Sequence, residues 1–385
     1  MHVLMVTSFP IPGEYDGTAI LPIKILRALK PRGVEVTVAY LRARPPWQLA
    51  GKVEDFEGTP VHEIPAWGWA TGIGLDRLAR DRPFDLVHAQ HYGGATRALL
   101  ACRRRGWPMV YEIHSLLGEE VERSRLGRGP VYRTYRAMEQ GVLRHAAAII
   151  TLGEPVRDVV VREKHVPADR VSVIYPGIDL AEYANPGSPA EISGIGPGHE
   201  VIMYVGSIVH PNQGVPILVE ALPRVFDARP EARCVLVGGP AEAGEEYRRQ
   251  LGPYGDRLVV LTGRTPDQVV ALTRRADVLV HSRLACRENY SVQSKIAVYL
   301  AAGRPIVATD FADYRKLLGE TGAGLLTPVD RHALADGIIR VLADRGLAAR
   351  LAAATRTVAE EYFAMDRNVD RYLDVYRKAV EAGPR

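Results

Sequence analysis

Three cysteines, Cys102, Cys234 and Cys286, stand far apart along 385 residues. Their odd number and wide spacing exclude a disulfide framework and a zinc site. Cys234 sits in the apolar run CVLVGG and reads as a small buried hydrophobe, so a reducing, cytoplasmic setting is expected. Long apolar runs are missing as well: none reaches the roughly 18 residues of a membrane-spanning helix. The opening MHVLMVTSFP has no basic region ahead of its apolar stretch and reads as a first strand rather than a signal peptide. Charge of one sign is also scarce, with 49 Lys and Arg against 45 Asp and Glu, a formal balance of +4. That excess is small for a nucleic-acid binder, and no basic stripe interleaves with aromatics, so no nucleic-acid partner is expected.

The composition that remains is globular, with 47% hydrophobic and 24% charged residues. A chain of this length calls for two domains. The run Arg103-Arg104-Arg105 reads first as a solvated helix end before Gly106. Its second reading is peripheral contact with a membrane surface or a phosphate-bearing acceptor.

Short β-branched runs alternate with helical patterns. HVLMVTSF, VEVTVAYL, DLVHAQ, MVYEIHS, AAIITLG and VSVIYPG read as strands of a first half, with helices that include LPIKILRALKPRG, ATRALLACRRRG and roughly Val131 to Arg144. Such alternation predicts parallel sheets covered by helices. Near Ala184 the segment NPGSPAEISGIGPGHE, rich in Gly, Pro and Ser, marks a boundary. VIMYVGS, ARCVLVGGP, LVVLTG, DVLVHS, PIVATD and GAGLLTP then repeat the pattern, and the last fifty or so residues read as helical. The expected domains are 1–183, a linker at 184–199, a second domain at 200–363 and a C-terminal helix at 364–385 that packs back on the first.

In parallel sheets ligands bind at the carboxyl ends of strands. Asp16-Gly17-Thr18 follows the first strand, and glycine lets backbone approach a ligand there. His114 follows MVYEI, where an imidazole can donate to a sugar hydroxyl or move a proton; a satisfied core histidine is the plainer reading. Gly206-Ser207 and the stretch to Gly214 lead into a helix start that suits an anion, or form an ordinary turn. The segment Arg287-Glu288-Asn289-Tyr290-Ser291-Val292-Gln293-Ser294-Lys295 brings a carboxylate, small polar residues and a helix start to one strand end. Trp47, Trp67 and Trp69 can stack on a ring or pack as hydrophobes.

Taken in order, HVLMVTSFPIPGEYDGTA, VYEIHS, MYVGSIVHPNQGV, VVLTGRTP, SKIAVYLAAGRPIVATD and GAGLLTPVDRHALADGI resemble the retaining GT-B glycosyltransferases of family four, over nearly the whole chain. The resemblance implies an α/β fold of two Rossmann-like, doubly wound domains facing each other across a cleft. It implies a nucleotide-sugar donor held by the second domain. The base would lie near Gly263-Arg264-Thr265, and the diphosphate would face Gly206, Ser207 and the helix start near Ser291 and Val292. Glu288 matches the first of the family's paired glutamates, on the donor sugar; His114 matches the histidine beside the transferred sugar; Gly17 matches the glycine loop. No metal and no cofactor besides the co-substrate are expected.

Two departures stand out. Ser207 and Gln213 occupy the places of the family's Arg and Lys diphosphate clamp, leaving Arg264, Arg283 or Lys295 to compensate. Val298 stands where the second glutamate holds the ribose. The acceptor stays open between a small secondary metabolite, a polysaccharide and a lipid-linked sugar. The same departures keep two rivals in view: a GT-B enzyme of another type, such as a sugar-nucleotide epimerase or pseudo-glycosidic coupler, and a degenerate binding protein without activity.

Overall fold

A computed structural model describes residues 1–11, 17–43, 51–80, 83–117, 129–184, 190–284, 292–311 and 313–384. The chain divides into two compact units, one built from Met1–Gly177 with Met365–Arg385, the other from Ile178–Cys286 with Val292–Ala364.

The N-terminal unit contains β1 (His2–Thr7), β2 (Glu35–Arg42), β3 (Val53–Phe56), β4 (Thr59–Pro65), β5 (Leu86–Gln90), β6 (Met109–Ile113), β7 (Ala148–Thr151) and β8 (Val171–Val173). They form one sheet in the order β3-β4-β2-β1-β5-β6-β7-β8. All neighbours run parallel except β3, which pairs antiparallel with β4 at the edge. Every residue of β1, β5, β6 and β7 is buried, as expected of strands with helices on both faces. The β3–β4 hairpin is an addition to the strands read from sequence. Its turn places Glu57 at φ 54° and Gly58 at φ 75°, the positive-φ pair that matches the twist of a two-residue hairpin.

The helix Met365–Ala382 belongs to this unit. Val369, Tyr372, Val375, Tyr376 and Ala379 pack with Val3, Met5, Ile25, Val110 and Ile150 in one apolar cluster. Buried aliphatic side chains of this kind each contribute about 1.5–3 kcal/mol. The amide of Asn368 fixes the helix by donating to the Tyr175 carbonyl at 2.9 Å.

The C-terminal unit contains β9 (Glu200–Val205), β10 (Ala232–Val237), β11 (Leu258–Leu261), β12 (Val278–His281), β13 (Ile306–Thr309) and β14 (Leu325–Thr327). The order is β11-β10-β9-β12-β13-β14, parallel throughout. Strand order reverses between β9 and β12, and this switch point opens a crevice at the carboxyl end of the sheet. Below it Tyr204, Leu218, Leu222, Phe226, Val280 and Leu334 share one core.

Candidate functional site

Two loops flank the switch point of the C-terminal unit, one after β9 and one after β12. Chain leaves β9 through Gly206, whose φ of 131° suits glycine. A Cβ at Gly206 would collide with the Lys295 ammonium. Ser207 Oγ accepts from the His210 amide at 3.2 Å. A short turn, Pro211–Gln213, then leads through Gly214 into the helix Val215–Ala228. Gly214 has φ 65°, and a Cβ there would collide with the Ser282 carbonyl, so the two loops touch closely.

Lys295 enters this crevice from the helix Ser294–Ala301. Its ammonium donates to Gln213 Oε1 at 2.7 Å and to the Tyr204 hydroxyl at 2.8 Å, and lies 4.3 Å from the centre of the Tyr204 ring. The residue is half-buried, with its ammonium packed against the Tyr204 ring and Gln213. Burial, and secondarily the Arg283 guanidinium, hold its pKa well below the usual lysine range. Among the described residues Lys295 has neutral acceptors and no carboxylate partner. Arg283, fully buried, stacks 4.9 Å from the centre of the Phe311 ring. His281 lies at the end of β12 with Nε2 2.8 Å from the Tyr314 hydroxyl and Nδ1 buried without a partner. Burial first, then Lys295 and Arg283, keep this imidazole neutral. Positive charge is thus concentrated at the switch point, with hydroxyls, an amide and ring faces around it.

The sequence-derived donor residues fall as follows. Gly206, Ser207, Gln213 and Lys295 share the crevice. Gly263 (φ 65°) and exposed Arg264 precede Thr265, which caps the helix Pro266–Thr273 in a capping box with Gln268. The helix start expected near Ser291 and Val292 falls at Ser294. Gln293 is still extended, at φ −80° and ψ 142°, and the Val292 side chain is buried. Glu288, Asn289, Tyr290 and Ser291 lie outside the described residues, as do Trp47 and Cys286. Gly17 opens the helix Gly17–Leu29. Cys102 and Cys234 are buried thiols, and burial raises the pKa of both.

In the N-terminal unit His114 stands just past β6, its side chain 8% exposed. Its Nε2 lies 2.8 Å from Glu112 Oε1. The other oxygen of this buried carboxylate accepts from the Tyr372 hydroxyl at 2.9 Å and lies 3.2 Å from His88 Nε2. His88 Nδ1 is 2.8 Å from the Tyr376 hydroxyl. Burial pushes the Glu112 pKa up, but the contacts to His114 and His88 outweigh it and bring it down to about 2. Glu112 is therefore a buried carboxylate that fixes His114 through Nε2. His91 begins the next helix layer at φ 59°, and burial, then His114, lower its pKa to about 3.

Sequence reading passed over Glu112, Gln90 and His281. Glu112 was visible as a lone acid in the apolar run VYEI, and the signal lacked only its partners. Gln90 is 1% exposed at the end of β5, beside Glu112 in register, and among the described residues neither end of its amide has a hydrogen-bond partner.

Residues 15–182 match the model for Glycosyltransferase Family 4, and residues 199–344 match that for Glycosyl transferases group 1. A D-inositol 3-phosphate glycosyltransferase from Xylanimonas cellulosilytica is 28% identical, aligning 97% of this chain with 94% of its own. One from Rhodococcus jostii is 26% identical over 96% of this chain and 86% of its own. Among solved structures, sucrose-phosphate synthase from Thermosynechococcus elongatus superposes with a TM-score of 0.80 at 18% identity, over 99% of this chain and 100% of that one. Anabaena HepE in complex with UDP-glucose superposes with a TM-score of 0.74 at 19% identity, over 97% and 99%. Among the described residues no helix is long and apolar enough to cross a membrane. With both family models matched in succession and the fold shared end to end with these structures, the chain belongs to the family 4 GT-B glycosyltransferases.

Proposed function

We propose that this glycosyltransferase takes its sugar from a nucleotide-sugar donor and transfers it with retention of anomeric configuration. The observation that carries the reading is the Lys295 ammonium, which among the described residues meets only neutral acceptors, Gln213 Oε1 and the Tyr204 hydroxyl. A buried cation is costly unless an anion joins it. The β- and α-phosphates of a donor supply that anion. Lys295 then takes the place of the loop cations that Ser207 and Gln213 replace, with Gln213 Oε1 holding it in position. The amides at the starts of Val215–Ala228 and Ser294–Ala301 add donors to the same anion. HepE, solved with UDP-glucose, lends support from a protein of the same fold.

The remaining roles follow the family resemblance. Gly263 and Arg264 flank the base, Glu288 binds hydroxyls of the donor sugar, and Gly17 and His114 match the family's residues for that sugar. In the transfer, the bond from the anomeric carbon to the leaving phosphate breaks while the acceptor oxygen bonds to the same face of that carbon. The acceptor proton passes to the leaving phosphate oxygen. Lys295 and the helix amides stabilise the charge that develops there. Glu112 keeps His114 oriented through Nε2. No protein nucleophile and no metal enter this scheme. The acceptor is a hydroxyl compound, and the inositol phosphate named for the relatives is the first to test.

The test is product analysis with each common nucleotide-sugar, with and without an inositol phosphate or saccharide acceptor. Release of nucleoside diphosphate that needs the acceptor, together with a product of the donor's anomeric configuration by NMR, is expected. Product without an acceptor, or with inverted configuration, overturns the reading.

A further inference from the structure

Five large exposed hydrophobic side chains lie on one helical layer of the N-terminal unit: Trp67 (54% exposed), Trp69 (58%), Leu100 (50%), Val131 (42%) and Met138 (41%). The layer consists of the helices Gly68–Leu78, His91–Arg105 and Pro130–His145, the middle one packed on both others. Arg97 Nε donates to the Ala66 carbonyl at 3.0 Å, which ties the tryptophan end to the middle helix. On the other side Leu99 meets Gly141. The exposed apolar tips therefore belong to one helical layer, with Trp69 and Leu100 on its solvent side.

Among the described residues the charge of these three helices is one-sided. His91–Arg105 carries four arginines and no acid. Pro130–His145 carries three arginines, and its single acid, Glu139, is buried on Lys164 at 2.9 Å. Gly68–Leu78 adds Arg77, and its Asp76 is already paired with Arg104 and Arg105. The whole chain is close to neutral by comparison, at +4. Apolar and indole tips standing among arginines are what an anionic bilayer surface takes up: indoles settle at headgroup depth, and guanidinium groups pair with phosphates.

We infer that this three-helix face docks the protein on an anionic lipid surface. The inference rests on the face alone and is independent of the donor chemistry proposed above. The test is co-sedimentation of the full chain with vesicles of phosphatidylcholine alone and of phosphatidylcholine mixed with phosphatidylglycerol, at low and high salt. Binding to the mixed vesicles only, weakened by salt, is expected. Each arginine near an anionic surface contributes about fivefold to partitioning, so Arg103→Glu should lower binding by fivefold or more. Trp69→Ser combined with Leu100→Ser should lower it about tenfold. Both sites are exposed, so an unchanged melting temperature verifies the fold of each variant. Failure of the wild type to bind the mixed vesicles, equal binding to both vesicle types, or undiminished binding by both variants overturns the inference.

Discussion

Tyr372 donates a 2.9 Å hydrogen bond to Glu112 across 260 residues of sequence, and Glu112 in turn meets His114. The C-terminal helix thereby sets the imidazole assigned to the transferred sugar. Glu112→Gln keeps the shape but loses the charge, and breaking a buried ionic contact costs on the order of 3 kcal/mol. Because the folded pKa of Glu112 is depressed from 4.5 to about 2, its stabilisation is full above 4.5 and fades as pH falls toward 2. Denaturant melts of wild type and variant should therefore converge across that acid window. Tyr372→Phe, which keeps the apolar packing, should cost about 1 kcal/mol and lower kcat through His114.

Lys295 yields a pH prediction in the alkaline range. Its pKa is depressed, so the unfolded chain binds a proton that the folded chain sheds, and this contribution to stability grows as pH rises toward 10.5. Lys295→Met should remove that dependence and leave the protein at least as stable as the wild type. A bound diphosphate restores the ammonium, so nucleotide affinity should fall as pH rises. Titration calorimetry in buffers of different ionisation enthalpy should show proton uptake by the wild type and none by the variant.

Gly206→Ala combines two faults at one position: a φ of 131° that alanine resists, and a Cβ directed at the Lys295 ammonium. The variant should lose about 1–2 kcal/mol of stability and raise the donor KM by tenfold or more. A stability loss with an unchanged donor KM would remove Gly206 and Lys295 from the donor site.

Gln90 buries an amide with no hydrogen-bond partner among the described residues, an arrangement that costs about 1–3 kcal/mol. Gln90→Met should therefore stabilise the protein by about 1 kcal/mol. If this amide is kept for acceptor hydroxyls, the same variant raises the acceptor KM while the donor KM stays constant. A rise in melting temperature with unaltered kinetics would mark Gln90 as a packing defect only.

The sheet strands were legible because buried parallel strands leave continuous apolar runs such as HVLMVT and CVLV. The β3–β4 hairpin was not, since VEDF is an edge strand with alternating exposure and little apolar signal. The carboxyl-end loops could be located from the same strands, so Gly206, Gln213, His114 and Lys295 were nameable. Their pairings were not. Lys295 and Gln213 are 82 residues apart, and nothing local pairs this ammonium with that amide. The helix start, expected near Ser291 and Val292, falls at Ser294, after the buried Val292 side chain and the extended Gln293.

The most direct test of the donor assignment is a thermal-shift screen of wild type and Lys295→Met against UDP, GDP, ADP and dTDP. A ligand at a hundredfold excess over its Kd stabilises by about 2.7 kcal/mol. The expected result is a clear shift of the wild type with one nucleotide, absent from a Lys295→Met protein that melts normally on its own. A wild type that responds to none of them, or a variant that responds as strongly as the wild type, would contradict the assignment of Lys295 to a nucleotide-sugar diphosphate.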